Sequence, residues 1–147
     1  MTKNLKNLND DNLEKFNKAI GALKNSLNMN PKNHNLYIKL GNEYLKLNRF
    51  ELAFKSYLSA YNLEPNDPEV SLCIGNTHKK SGNLNDAASA FLNAIKIDKK
   101  CKKAYKNLSN IYFHLGRHKE GLEYLYKVEG FIQFQIDNGV SVSKGNI

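Results

Sequence analysis

Few residues of this chain have both the type and the spacing that catalysis or metal binding requires. His114 and His118 stand four apart, an interval at which two imidazoles on one helix share a face and can hold an ion. Gly116 marks a turn between them, however, and no third ligand is near. Cys73 and Cys101 are too few and too far apart for a disulfide framework or a zinc knuckle, and they fit a reducing compartment, so the cytoplasm is expected. Cys73 lies on the presumed groove and Cys101 between repeats, and both thiols are expected to be inert. No phosphate-cradling glycine loop, nucleophile elbow or zinc-ligand spacing occurs. The expectation is a chain that is not an enzyme and uses neither cofactor nor metal. The remaining polar groups are amides and ammonium groups. Asn42, Asn76 and Asn110 recur at equal intervals, and each offers two donors and an acceptor suited to a peptide backbone whatever its side chains. Around them stand Asn107, Lys39, Lys46, Lys79, Lys80, Lys103 and Lys106, with Glu69 and apolar Ile38, Leu45, Leu72 and Phe113 between.

The formal net charge is +8, which raises acidic proteins, nucleic acid and anionic membrane surfaces as partners. Lysine is spread over the whole chain, so much of that charge is a solvated surface. The lysines are not interleaved with exposed aromatics of the kind that stack bases, which disfavours nucleic acid. No apolar run approaches the roughly 20 residues that span a bilayer, and the opening MTKNLKNLND holds no apolar block of a secretory signal. A soluble protein without membrane insertion is expected.

The elements that must position these groups follow from one period. Leu40-Gly41-Asn42 returns as Ile74-Gly75-Asn76 and as Leu108-Ser109-Asn110, each 34 residues on. In the same register lie Tyr44, His78 and Tyr112, then Ala53, Ala87 and Gly121, then Tyr57, Phe91 and Leu125, then Ala60, Ala94 and Val128. Spacings of three, four and seven put these positions on one face of each of two helices per unit. Small residues at Gly41, Gly75, Ser109, Ala53 and Ala87 let paired helices approach, and Tyr57 and Phe91 fill the remaining space. Helices are predicted over 34–47, 50–63, 68–81, 84–97, 102–115 and 118–129. Asn48 with Glu51, and Asn83 with Asp86, are expected to cap the second helix of a pair, as Asp67-Pro68 caps a first one. Gly82 and Gly116 are expected to turn the chain between helices.

With these residues in place the chain resembles the tetratricopeptide repeat family, whose unit is a pair of antiparallel helices. Tyr37, Leu40, Gly41, Tyr44, Ala53, Tyr57, Ala60 and Pro65 occupy the signature places in the first repeat. The second keeps Gly75, Ala87, Phe91 and Ala94 but has Ser71 and Lys99 where a bulky residue and proline are usual. The third departs further at Ser109 and Gly121. The resemblance implies an all-α, right-handed superhelix of about three helical hairpins, at 34–67, 68–101 and 102–129. It also implies a concave face lined by the first helix of each pair.

Upstream, Leu13, Phe16, Ala19, Ile20, Leu23 and Leu27 form an amphipathic stripe opened by Asp11 and Glu14 and closed before Pro31. This predicts an unpaired second helix over 11–29, capping the stack, so that 1–129 is one domain. Downstream, FIQFQI and VSVS flank Asp137-Asn138-Gly139, which predicts a short β-hairpin in the tail 130–147 and a route to self-association.

The resemblance implies a protein-interaction scaffold that holds an acidic, extended or C-terminal segment of a partner in the concave groove, through Asn42, Asn76, Asn110, Asn107 and the six lysines. Exposed ion pairs contribute only about 0 to 1 kcal/mol each, so amide and apolar contacts must supply much of the affinity. Two other readings stay open. One is co-chaperone-like binding of a chaperone C-terminus, for which Asn42 and Lys103 fit the family's clamp but Ile38, Cys73 and Asn107 do not. The other is an RNA-binding helical repeat.

Overall fold

The computed structural model describes residues 2–137, with side chains from Asp10 to Gly130. Seven helices follow one another there: α1 Thr2–Met29, α2 His34–Lys46, α3 Phe50–Leu63, α4 Pro68–Lys80, α5 Leu84–Ile97, α6 Lys102–His114 and α7 His118–Asp137. No strand occurs among the described residues. From α2 to α6 each helix ends within one residue of its predicted bounds. Three hairpins form, α2 with α3, α4 with α5 and α6 with α7, and each packs on the next.

The predicted close approach of helices is real. A Cβ built on Gly41 would lie 2.5 Å from the Tyr57 ring, and one on Gly75 would lie 2.7 Å from Phe91. Both aromatics are fully buried, as are Ala53, Ala60, Ala87 and Ala94. In the third hairpin Ser109 takes the glycine's place, and the partner position holds the smaller Leu125. The Ser109 hydroxyl, buried, donates to the Gly121 carbonyl at 2.8 Å. The core divides into one cluster around Leu40, Tyr44, Tyr57 and Val70 and another around Phe91, Leu108, Ile111 and Tyr112.

The turn between the helices of a pair is the same three times. The amides of Arg49, Asn83 and Arg117 reach back to the carbonyls of Tyr44, His78 and Tyr112 at 2.9, 2.8 and 2.8 Å. Those of Asn48, Gly82 and Gly116 reach Leu45, Lys79 and Phe113 at 3.1, 3.2 and 3.1 Å. These paired bonds make the Schellman C-cap, whose central residue must be left-handed. Asn48, Gly82 and Gly116 accordingly have φ of 55°, 87° and 73°.

This corrects the predicted caps. Asn48 ends α2 instead of opening α3, which starts after Arg49 with no side-chain cap. Asparagine suits both an N-cap and a left-handed position, and here the turn takes it. Asn83 does precede α5, but its side chain does not bond the helix; its amide donates to Ser81 Oγ at 3.3 Å. Asp67 caps α4 as expected, accepting from the Glu69 amide at 2.9 Å with Pro68 at the first turn. Asn33, not foreseen, caps α2 by accepting from Leu36.

Two further corrections concern the ends. Asp11 lies inside α1, which begins at Thr2. Residues 131–136, the expected first strand, continue α7 to Asp137. Phe131 with Phe134, and Ile132 with Ile136, also fit helical spacing, and extending an existing helix avoids the cost of nucleation. The second expected strand, at VSVS, lies outside the described residues.

Candidate functional site on the concave face

The first helices α2, α4 and α6 present the register positions singled out from sequence, but not equivalently. Asn42 is exposed and held: the Tyr57 phenol, passing from α3, donates to its Oδ1 at 2.6 Å. Cys73 Sγ of α4 lies 4.0 Å from the same oxygen. With Oδ1 engaged on an exposed residue, the two N–H donors of the amide are left for a ligand. In the second repeat Phe91 replaces Tyr57, and in the third Leu125 does, so neither can anchor its asparagine. The side-chain amides of Asn76, half-buried, and Asn110, exposed, make no hydrogen bond among the described residues.

Burial raises the Tyr57 phenol, reinforced by Cys73. Burial likewise pushes the Cys73 thiol up to about 12, with Glu69 and Asp67 adding to it and the Tyr57 hydrogen bond and Lys103 opposing. At neutral pH both remain protonated donors, and Cys73 is not a nucleophile.

The lysines divide into occupied and open groups. Lys79 donates to Asn107 Oδ1 at 2.7 Å, tying α4 to α6, while Asn107 Nδ2 donates to the Lys103 carbonyl at 3.0 Å. The Asn107 amide is thus engaged at both ends within the wall of the groove. Lys46 pairs with Glu43 at 2.7 Å and sits 5.8 Å from the Phe16 ring centroid of α1. Lys39, Lys80, Lys103 and Lys106 are exposed. Lys39, Asn42, Lys46 and Lys80 come together around a cleft of about 600 Å³ whose apolar wall is Ala19, Ala22 and Leu23 of α1 with Leu45. Lys103, Lys106, Asn107 and Asn110 stand apart from it on α6.

His114 ends α6 and His118 opens α7, and His114 Nδ1 lies 2.7 Å from the Asn110 carbonyl. Among the described residues no three His, Cys, Asp or Glu side chains gather as a metal site. His78 is half-buried and packs 5.4 Å from the Phe54 ring. No described helix is long and apolar enough to cross a membrane.

Sequence reading missed Tyr57 as the anchor of Asn42 and the α1 residues as a wall of the cleft. The first had a signal, since tyrosine at 57 becomes phenylalanine at 91. The second had one too, since Ala19 and Leu23 precede Ala53 and Tyr57 by the repeat interval.

Three stacked helical hairpins among the described residues define a helical-repeat scaffold. Comparison with known proteins makes this specific. A family model described as TPR repeat matches residues 41–82 and one described as Tetratricopeptide repeat matches residues 74–133, together more than half of the chain. The chain belongs to the tetratricopeptide repeat family, and its fold is a protein-interaction scaffold. Comparison with curated proteins gave no match. Among solved structures, "Crystal structure of MamA protein" superposes with a TM-score of 0.79 at 19% identity, covering 87% of this chain and 70% of that one. A MamA fragment from Desulfovibrio magneticus RS-1 gives 0.75 at 20% identity, covering 85% and 71%. At such identity the likeness concerns the superhelical fold alone.

Proposed function

We propose that this chain is a non-catalytic adaptor that holds an acidic, extended segment of a partner protein along the faces of α2, α4 and α6, working in the cytoplasm. The observation that carries the reading is the state of the asparagine row. Asn42 is held at its Oδ1 by Tyr57, which leaves its N–H donors for a ligand, and Asn76 and Asn110 have amides not engaged within the described residues. Such groups bind backbone carbonyls and carboxylates without regard to sequence. Exposed Lys39, Lys80, Lys103 and Lys106 steer an acidic ligand toward them. Two unpaired cysteines support a reducing compartment.

The test is fluorescence anisotropy of an aspartate-rich labelled peptide against the full chain and Asn76→Ala. One lost hydrogen bond of about 1 kcal/mol lowers affinity roughly fivefold, with an unchanged melting temperature. If affinity and stability fell together, Asn76 would be structural. A single-stranded RNA probe binding more tightly, with a steep loss between about 50 and 200 mM salt, would move the reading to nucleic acid.

A further inference from the structure

Helix α1 follows the repeat register, and among the described residues no first helix packs against it as α2 packs against α3. Ala19, Ala22, Leu23 and Ser26 precede Ala53, Ser56, Tyr57 and Ala60 by the repeat interval. In the complete hairpin those four α3 residues lie beneath α2, with Ala53, Tyr57 and Ala60 at 0% exposure and Ser56 at 6%. Their α1 counterparts lie open: Ala22 and Ser26 are exposed, Ala19 and Leu23 half-buried. The other side of α1 is seated normally, with Ile20 and Leu27 buried in the core that α2 shares. The cleft of about 600 Å³ beside Ala19, Ala22 and Leu23 is therefore the place that a preceding first helix would occupy.

We infer that this cleft receives one helix of a partner protein, which completes the half repeat in trans. That helix is amphipathic, carries a small residue where α2 and α4 carry Gly41 and Gly75, and is acidic along the edge that meets Lys39, Lys46 and Lys80. The inference rests on the reading that the chain holds a partner segment, and it specifies the segment and its seat.

Charge selects the occupant. In α4 the residues that follow α2 in the stack are Cys73 and Thr77, 7% and 3% exposed, and Cys73 approaches Asn42 of α2. At the same register α2 carries Lys39 and Glu43, so this end does not match another apolar first helix of the chain's own kind. Three lysines face one carboxylate in the cleft, and that carboxylate already pairs with Lys46 at 2.7 Å. A second copy, with net charge +8, would bring like charge to like charge. An acidic helix would meet open ammonium groups and the N–H donors of Asn42.

The probe is a side-chain-stapled helical peptide with the sequence of residues 34–46, bearing Asn42→Glu, which in the stack falls opposite Lys39 as Asn42 falls opposite Cys73, and Lys46→Glu. The staple matters because a free helix of this length is marginal in water. The full chain should bind it, and should bind the unsubstituted lysine peptide at least about tenfold more weakly. Adding Gly41→Leu to the acidic peptide should cost a similar factor, because that side chain would meet Leu23. Ala22→Leu in the full chain, at an exposed position, should fill the cleft and cost about tenfold with an unchanged melting curve. Equal binding of the acidic peptide when Leu40→Pro breaks its helix, equal binding of the lysine peptide, or indifference to Ala22→Leu would each overturn the inference. If the helix peptide fails while the aspartate-rich peptide still responds to Asn76→Ala, the adaptor reading stands without this cleft. If both fail, the reading beneath it falls as well.

Discussion

The first and third hairpins solve the same packing problem with different residues. In the first, a glycine, Gly41, admits the ring of Tyr57, which is wholly buried and whose phenol then reaches Asn42. In the third, Ser109 leaves less room, Leu125 replaces the ring and is only half-buried, and a hydroxyl-to-carbonyl bond to Gly121 joins the helices. A ring packed on glycine gains contact area and also positions a polar group on the functional face. A hydroxyl bonded to the neighbouring backbone gains cohesion but leaves Asn110 unguided. The structural choice in each hairpin thus sets how well ordered its asparagine is.

The widest expected gap between the two is in truncation. Tyr57→Ala should destabilise by about 3 to 5 kcal/mol, whereas half-exposed Leu125→Ala should cost about 2 kcal/mol or less, as read by urea unfolding. Equal costs would show that burial in the first hairpin is not what distinguishes it. Next comes overpacking: Gly41→Ala drives a methyl group into the Tyr57 ring and should cost about 1 to 3 kcal/mol. Ser109→Ala should cost about 1 kcal/mol through the lost bond to Gly121.

Alkaline titration separates the two again. Tyr57 and Cys73 hold their protons more tightly in the folded chain, so unfolding releases protons above the ordinary thiol range. Stability from Cys73 should be complete below about pH 9 and decline as pH rises toward about 12. Melting of wild type and Cys73→Ala across that window should differ in slope, and parallel slopes would contradict the burial effect. The smallest effect lies in the turns. Asn48→Gly should stabilise by a few tenths of a kcal/mol by making the first turn like the other two, and destabilisation would mean that the Asn48 side chain is used.

The repeat was legible because each of its positions has a single steric reason, and two glycines facing two aromatics can be recognised from spacing alone. Boundaries were legible for the same reason, since Pro68 at the first turn of α4 and the glycines at 82 and 116 each suit one place in a turn or cap. Asn48 was not, because its side chain satisfies two neighbouring roles equally well. The 131–136 segment was not, because a short apolar run fits both periods and only the helix already under way decides between them. The row of asparagines was visible, but not its inequality, which depends on a phenol arriving from another helix. The open side of α1 was legible in outline, since the stripe from Leu13 to Leu27 reads as an unpaired second helix, but spacing alone did not show that Ala19, Ala22 and Leu23 wall a cleft with α2.

Among the described residues the contacts run from each hairpin to the next, with no substantial connection back across the stack. Disorder introduced at α7 therefore has a short reach: it should loosen the last unit first, leaving the Tyr44 and Tyr57 region ordered until its own neighbours let go. Damage is contained by proximity, and a chain of this kind can keep one end gripping while the other breathes.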